Sequence, residues 1–180
     1  MRALEVRGLP VIDSRSARRV GTVSDVHVDA AAGRLAALDV RVTDTDAIER
    51  IPAERVRRLG HDAVMLKGGY ISDNARPLKI GEDWLDLGVL VGLEVLADSG
   101  DRVGHLADVY VDQDSLRVEA YKLVVPVLER WFGGGSRIAP DVVTACSRDV
   151  MIIRAAHRVI EQETAEARVA TGADVSGSPH

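Results

Sequence analysis

The chain is poor in cysteine and in aromatic residues. Its single cysteine, Cys146, excludes an intrachain disulfide, which fits a reducing compartment. Phe, Trp and Tyr together make up 3% of the 180 residues, so a core has to be built from Val, Leu, Ile and Ala. The opening Met1-Arg2-Ala3-Leu4-Glu5 is interrupted by charge, unlike the apolar stretch of a secretory signal. The apolar stretches there also fall far short of the ~18 residues that a membrane-spanning helix needs. These absences predict a soluble cytoplasmic protein that meets a membrane only through a partner. A dense cationic face is lacking as well: the net charge of −5 argues against a general nucleic-acid binder, because phosphate binding requires clustered Lys and Arg.

Chemical motifs are equally scarce. The five histidines, His27, His61, His105, His157 and His180, show neither HxH nor HExxH spacing, and Cys146 has no CxxC partner. A zinc site usually carries such spacing. Gly133-Gly134-Gly135 follows Trp131-Phe132 but lacks the Lys-Ser/Thr of a phosphate-binding loop. The reading is therefore of a protein without catalytic residues, cofactor or metal.

What is present is an ordinary globular composition, 46% hydrophobic and 28% charged, with room for one or two domains. Charge is unevenly spread. Residues 1–77 hold 13 basic and 11 acidic groups, a net of +2, and residues 78–180 hold 10 and 17, a net of −7.

The strongest signal is an internal repeat. Residues 19–29 read Arg-Val-Gly-Thr-Val-Ser-Asp-Val-His-Val-Asp, and residues 102–112 read Arg-Val-Gly-His-Leu-Ala-Asp-Val-Tyr-Val-Asp, identical at 7 of 11 positions at an offset of 83. Gly8-Leu9-Pro10-Val11 answers Gly92-Leu93-Glu94-Val95, Ile51-Pro52-Ala53 answers Ile138-Ala139-Pro140, and Asp62–Leu66 answers Asp149–Ile153. The later offset is 87, so the second copy has four extra residues between Leu123 and Ile138. Two copies are too few for a solenoid, which leaves duplicated small domains.

Each copy reads as short strands between turn residues: Val11–Asp13, Val20–Asp29, Arg34–Val42, Ile51–Pro52 and Ala63–Leu66, with Ala53–Leu59 as a helical turn or slightly more. Within Val20–Asp29 the apolar residues Val20, Val23, Val26 and Val28 change parity between Val23 and Val26, as do Val103, Leu106, Val109 and Val111 in the second copy. Side chains alternate along a regular strand, so a bulge near Gly21–Asp25 is predicted. About five or six short strands per copy suggest a small barrel. A unit of ~70 residues is marginal alone, so the two are expected to pack together. Lys67–Pro77 reads as a linker.

These residues resemble the PRC-barrel domain family. The resemblance rests on Gly8-Leu9-Pro10-Val11-Ile12-Asp13-Ser14, Arg19–Val26, Ile51–Val56 and Asp62–Met65 in the first copy, and it extends from Gly92 to Ile153 in the second. It implies an all-β fold: two tandem small PRC-type β-barrels packed together, residues 1–72 and 78–155. The helix formers of Arg154–Arg168 predict a short C-terminal helix, and the chain after Gly172 a disordered tail, so that 156–180 reads as helix and tail. It also implies action through protein contacts, either as an adaptor or by self-association. Two known members suggest alternatives. The C-terminal domain of the ribosome-maturation factor RimM points to a ribosome- or RNA-linked role. The reaction-centre H subunit points to a peripheral place in a photosynthetic or electron-transport membrane complex.

Candidate contact residues follow from charge and rarity. Arg55, Arg57 and Arg58 form a small basic cluster suited either to a solvated face or to an anionic partner. Trp131 and Phe132 stand at a glycine-rich loop in the insertion, where they suit either a partner anchor or a lid folded over a barrel end. Asp25 and Asp108, at the bend, are expected to cap backbone N–H groups, and Asp29 and Asp112 to open turns.

Overall fold

The structure, a computed structural model, describes residues 1–69, 84–124 and 136–154. Two antiparallel-rich sheets repeat one topology. The first unit contributes β1 (Pro10–Asp13), β2 (Arg19–Asp29), β3 (Arg34–Val42), β4 (Ile48–Pro52), β5 (Val56–Leu59) and β6 (Val64–Leu66). These are hydrogen-bonded in the order β4-β3-β2-β1-β6-β5. After β7 (Trp84–Asp86), the second unit contributes β8 (Glu94–Ala97), β9 (Arg102–Val111), β10 (Val118–Val124), β11 (Ser136–Ile138), β12 (Val143–Cys146) and β13 (Val150–Ile153). Their order, β11-β10-β9-β8-β13-β12, is the same path.

The ends of each path are consecutive in sequence. β4 and β5 are joined through the 3₁₀ turn Ala53–Arg55, and β11 and β12 through Pro140–Val142. A single turn therefore brings the two ends of each sheet round to one another, and the strands curl into a small barrel closed by chain connection rather than by a complete ladder.

The bend is where the parity slip placed it. The register of β2 against β3 shifts between Val23 and Asp25, leaving Ser24 as the extra residue. The register of β9 against β10 shifts between Leu106 and Asp108, leaving Ala107 in the equivalent place. The extra residue restores phase, so Val23, Val26 and Val28 are all buried, as are Leu106, Val109 and Val111. Close approach at the bend requires glycine: a Cβ on Gly21 would meet the Arg41 carbonyl oxygen and the Val40 side chain, the latter at 2.8 Å.

Ala53–Leu59 departs from the helical expectation. Only Ala53–Arg55 is a 3₁₀ turn, and Val56–Leu59 is a strand. The three-residue spacing of Val56 and Leu59 imitates a helix face. A register shift between Val56 and Arg58 instead makes Arg57 an extra residue, so both apolar side chains turn inward and both arginines outward. The expected linker is described only as far as residue 69, and the expected C-terminal helix lies outside the described residues.

The short helices α1 (Ala3–Val6) and α2 (Leu87–Leu90), like strand β7, were not foreseen. Each precedes one barrel in sequence and joins it to the other. Residues 1–6 reach β9, where Arg2 bridges Tyr110 and the Val111 N–H donates to the Met1 carbonyl at 2.8 Å. Reciprocally, β7 pairs with β2, placing Asp86 opposite His27 and Leu85 opposite Val28. Asp86 then caps α2 by accepting from the Val89 N–H at 2.9 Å. Ala3, Val6, Leu87 and Leu90 are fully buried, and the buried residues of both units form one continuous hydrophobic cluster.

The hairpin turns complete the exchange. The Leu35 N–H donates to the Leu116 carbonyl at 2.8 Å, and the Val118 N–H donates to the Gly33 carbonyl at 2.9 Å. Leu35 and Val118 are equivalents at the offset of 83, as are Gly33 and Leu116. The seam is thus self-complementary in the manner of an isologous dimer interface, but it lies within one chain.

Candidate functional site

The seam has two ends that a perfect twofold would make alike. At one end the turn Gln113–Leu116 lies over β5. The Leu59 N–H donates to the Gln113 carbonyl at 2.9 Å, and Arg58 pairs with Asp114 at 2.8 Å. At the other end the equivalent turn, Ala30–Gly33, stands opposite β12 and makes no such closure. A cleft of about 400 Å³ remains, with Ala30–Gly33 on one side, Pro140 and Val143–Cys146 on the other, and Arg117 and Val118 completing it. The substitution of Gln113-Asp114 by Ala30-Ala31 removes the carboxylate that ties the first end down.

Of the residues singled out by charge, Arg55, Arg57 and Arg58 are all exposed. They border the outer edge of the first sheet, which ends at β5. Arg58 is engaged by Asp114. Arg55 and Arg57 carry no ion pair among the described residues. Cationic side chains on an edge strand discourage unwanted strand pairing and offer a surface for acidic groups. Trp131 and Phe132 lie outside the described residues.

The carboxylates at the bend cap backbone groups as expected. Asp25 accepts from the Val26 N–H at 2.7 Å and is gripped by Arg7 at 2.6 Å. Asp108 accepts from the Val109 N–H at 2.8 Å and from the Leu4 N–H across the seam at 3.2 Å. Burial pushes the Asp108 carboxyl above its usual range, against the pull of those hydrogen bonds and of Arg2. Asp29 and Asp112 open their turns, accepting from Ala32 N–H at 2.8 Å and Ser115 N–H at 2.7 Å.

A polar cluster that the sequence did not reveal spans β2, β3 and β4. Arg50 forks onto Asp39 at 2.7 and 2.8 Å, and His27 Nε2 meets the same carboxylate at 2.9 Å. Burial alone would raise the Asp39 pKa. The hydrogen bonds from His27 and Arg50 outweigh it and hold the carboxyl well below the usual range. In the second unit the equivalent positions are Tyr110, Lys122 and Arg137. There the Arg137 guanidinium lies 4.2 Å from the centre of the Tyr110 ring and donates to its hydroxyl at 3.1 Å. The second unit thus has a cation–π stack where the first has a carboxylate-centred cluster. Only cross-strand register brings the three residues together; nothing in their sequence spacing marks them.

Cys146 is half-buried at the cleft, and burial pushes its thiol up to about 11. A neutral thiol is a poor nucleophile. Tyr121 lies near enough to Cys146 and Asp29 to feel them electrostatically, and its buried hydroxyl has no hydrogen-bond partner among the described residues. Among the described residues no three His, Cys, Asp or Glu side chains stand together as a metal site, and no helix is long and apolar enough to cross a membrane.

No curated protein matches the chain in sequence. The sequence model of the PRC-barrel domain family matches residues 1–70, the segment that carries α1 and the first sheet and ends just beyond β6. The first unit of this chain is a PRC-barrel domain.

Proposed function

We propose that the protein is a non-catalytic interaction scaffold: two PRC-type barrels locked by an exchanged seam into one rigid body that presents surfaces to a protein partner. The observation that carries this reading is how the polar side chains of the seam are used. Asp25, the Oδ1 of Asp108 and the His27–Asp39–Arg50 cluster are engaged with backbone N–H groups, with Arg7 or with one another, and Asp108 Oδ2 is the one buried oxygen of these carboxylates without a hydrogen-bond partner among the described residues. Arg55, in the 3₁₀ turn before β5, and Arg57, on the edge strand β5 itself, by contrast face solvent. Fixed charge in the frame and free charge at an edge suit recognition better than turnover.

Affinity purification with the tagged full chain, against an Arg55→Glu/Arg57→Glu double variant, tests the reading. A stoichiometric protein partner retained by the wild type is expected, with recovery reduced in the variant. Absence of any stoichiometric partner would reject it.

The same free arginines favour a second reading, an RNA- or ribosome-associated factor. Contacts to phosphate weaken steeply as salt rises. Cosedimentation with ribosomes that is strong at low salt and lost over a salt series would select it.

A further inference from the structure

We infer that the open end of the seam is a docking groove for an extended, acidic segment of a partner protein, which adds to the free edge of β12. The inference rests on reading the protein as an interaction scaffold.

The edge is chemically ready. Among the described residues β12 is the last strand of its sheet path, paired with β13 on one side only. The Ser147 N–H donates to the Val150 carbonyl at 3.0 Å. In an antiparallel ladder the next pair outward, Cys146 opposite Met151, is then of the non-hydrogen-bonded kind. The N–H and C=O of Cys146 therefore point away from β13. An outward-pointing backbone pair on an edge strand is a template for another strand.

The molecule itself shows what such an edge takes. Leu59 is the equivalent of Cys146 at the offset of 87. It occupies the same ladder position, with the Gly60 N–H donating to the Ala63 carbonyl at 2.9 Å. The outward Leu59 N–H receives the Gln113 carbonyl at 2.9 Å, and the following residue, Asp114, sets its carboxylate on Arg58 at 2.8 Å. A backbone carbonyl is thus what the outward N–H takes, and the carboxylate beside it is held by Arg58, whose equivalent at the open end is Ala145. At the open end the turn supplies Ala30 and Ala31, no backbone bond joins it to Cys146, and about 400 Å³ is left. That volume lies within the ~300–1,000 Å³ of ligand sites.

Charge selects the occupant. Arg117 lines the cleft, and its guanidinium makes no ion pair among the described residues. Its equivalent, Arg34, is already directed to Glu54 at 3.9 Å. The remaining lining of alanines, Val143 and Cys146 accepts small apolar side chains. An extended segment alternating a small apolar residue with an acidic one matches the edge, the walls and the free cation together.

The test uses the full-length chain and two fluorescein-labelled hexapeptides, one alternating Val and Glu, the other Val and Lys. Anisotropy is expected to show saturable binding of the acidic peptide and none of the basic one. Arg117→Glu should weaken the acidic peptide at least tenfold, and Ala30→Gln/Ala31→Asp/Ala145→Arg, which copies the closed end, should do the same. Saturating acidic peptide should slow iodoacetamide alkylation of Cys146 severalfold. Failure of the acidic peptide to bind, or equal binding of both peptides, overturns the proposal. Sedimentation showing dimerisation that Arg117→Glu abolishes would overturn it in favour of a second copy as occupant. If the peptide fails while a stoichiometric partner is still recovered by affinity purification, only the groove is lost. If both fail, the scaffold reading falls with it.

Discussion

Arg34 and Arg117 form an antiparallel bridge with each other, and they are the same residue of the two repeats, separated by the offset of 83. A residue that meets its own equivalent marks a local twofold axis. The reciprocal hydrogen bonds of Leu35 and Val118 flank that axis, and α1 and α2 lie across it, each contacting both β2 and β9.

A shared seam makes the two barrels one folding unit. Leu90, fully buried in α2, belongs to the second repeat yet packs in the common core. Leu90→Ala should destabilise the protein by about 3 kcal/mol through lost burial and a cavity. Urea unfolding followed by circular dichroism and by tryptophan fluorescence should give one coincident transition in both wild type and variant. Two resolved transitions would show that the barrels unfold independently.

Asp39 and Asp108 should respond to acid in opposite senses. The Asp39 pKa is depressed in the fold, so its stabilisation is present above the unfolded value of about 3.9 and is lost as pH falls toward the folded one. Removing one partner of such a buried pair costs about 3 kcal/mol. Asp39→Asn should therefore be strongly destabilising at neutral pH and nearly equal to wild type in strong acid, as read from urea midpoints.

Asp108 has its pKa raised by burial. It favours the folded state below the unfolded value and loses that contribution as pH rises through the raised one. Asp108→Asn keeps an acceptor for the Leu4 and Val109 N–H groups without the charge. It should raise the urea midpoint at neutral pH, with the gain shrinking to nothing as pH falls to about 4 or below. A variant less stable than wild type at neutral pH would mean that the charge itself holds the seam.

Tyr121 is fully buried in the common core with a hydroxyl that has no hydrogen-bond partner among the described residues. Burying an unsatisfied polar group costs about 1–3 kcal/mol. Tyr121→Phe should leave the melting temperature unchanged or raise it, measured by calorimetry. A loss of more than about 1 kcal/mol would require a partner for the hydroxyl.

Cys146, held neutral by burial up to about 11, should react slowly with iodoacetamide. Its alkylation rate, followed by mass spectrometry, should rise about tenfold per pH unit without levelling below pH 9, because only the thiolate reacts. A plateau near neutral pH would reveal an activated thiol.

The order of apolar residues by itself determined the duplicated strands, and even the bulges at Ser24 and Ala107. Side-chain parity along a strand is a local property, and a slip between Val23 and Val26 permits only a bend if all are to be buried. Arg34–Val42 was legible for the same reason. Where the local rule is ambiguous the reading failed: the spacing of Val56 and Leu59 suits a helix face and a bulged strand alike, and pairing with β6 decided for the strand. The tertiary structure alone decided the exchange of α1 and α2, the meeting of His27 with Asp39 and Arg50, and the inequality of the two seam ends. Those depend on which distant backbone groups reach one another. Two turns of similar length, Asp29–Arg34 and Asp112–Arg117, close one end and leave the other open: Asp114 finds Arg58 on β5, whereas the equivalent residues, Ala31 and Ala145, carry no charge.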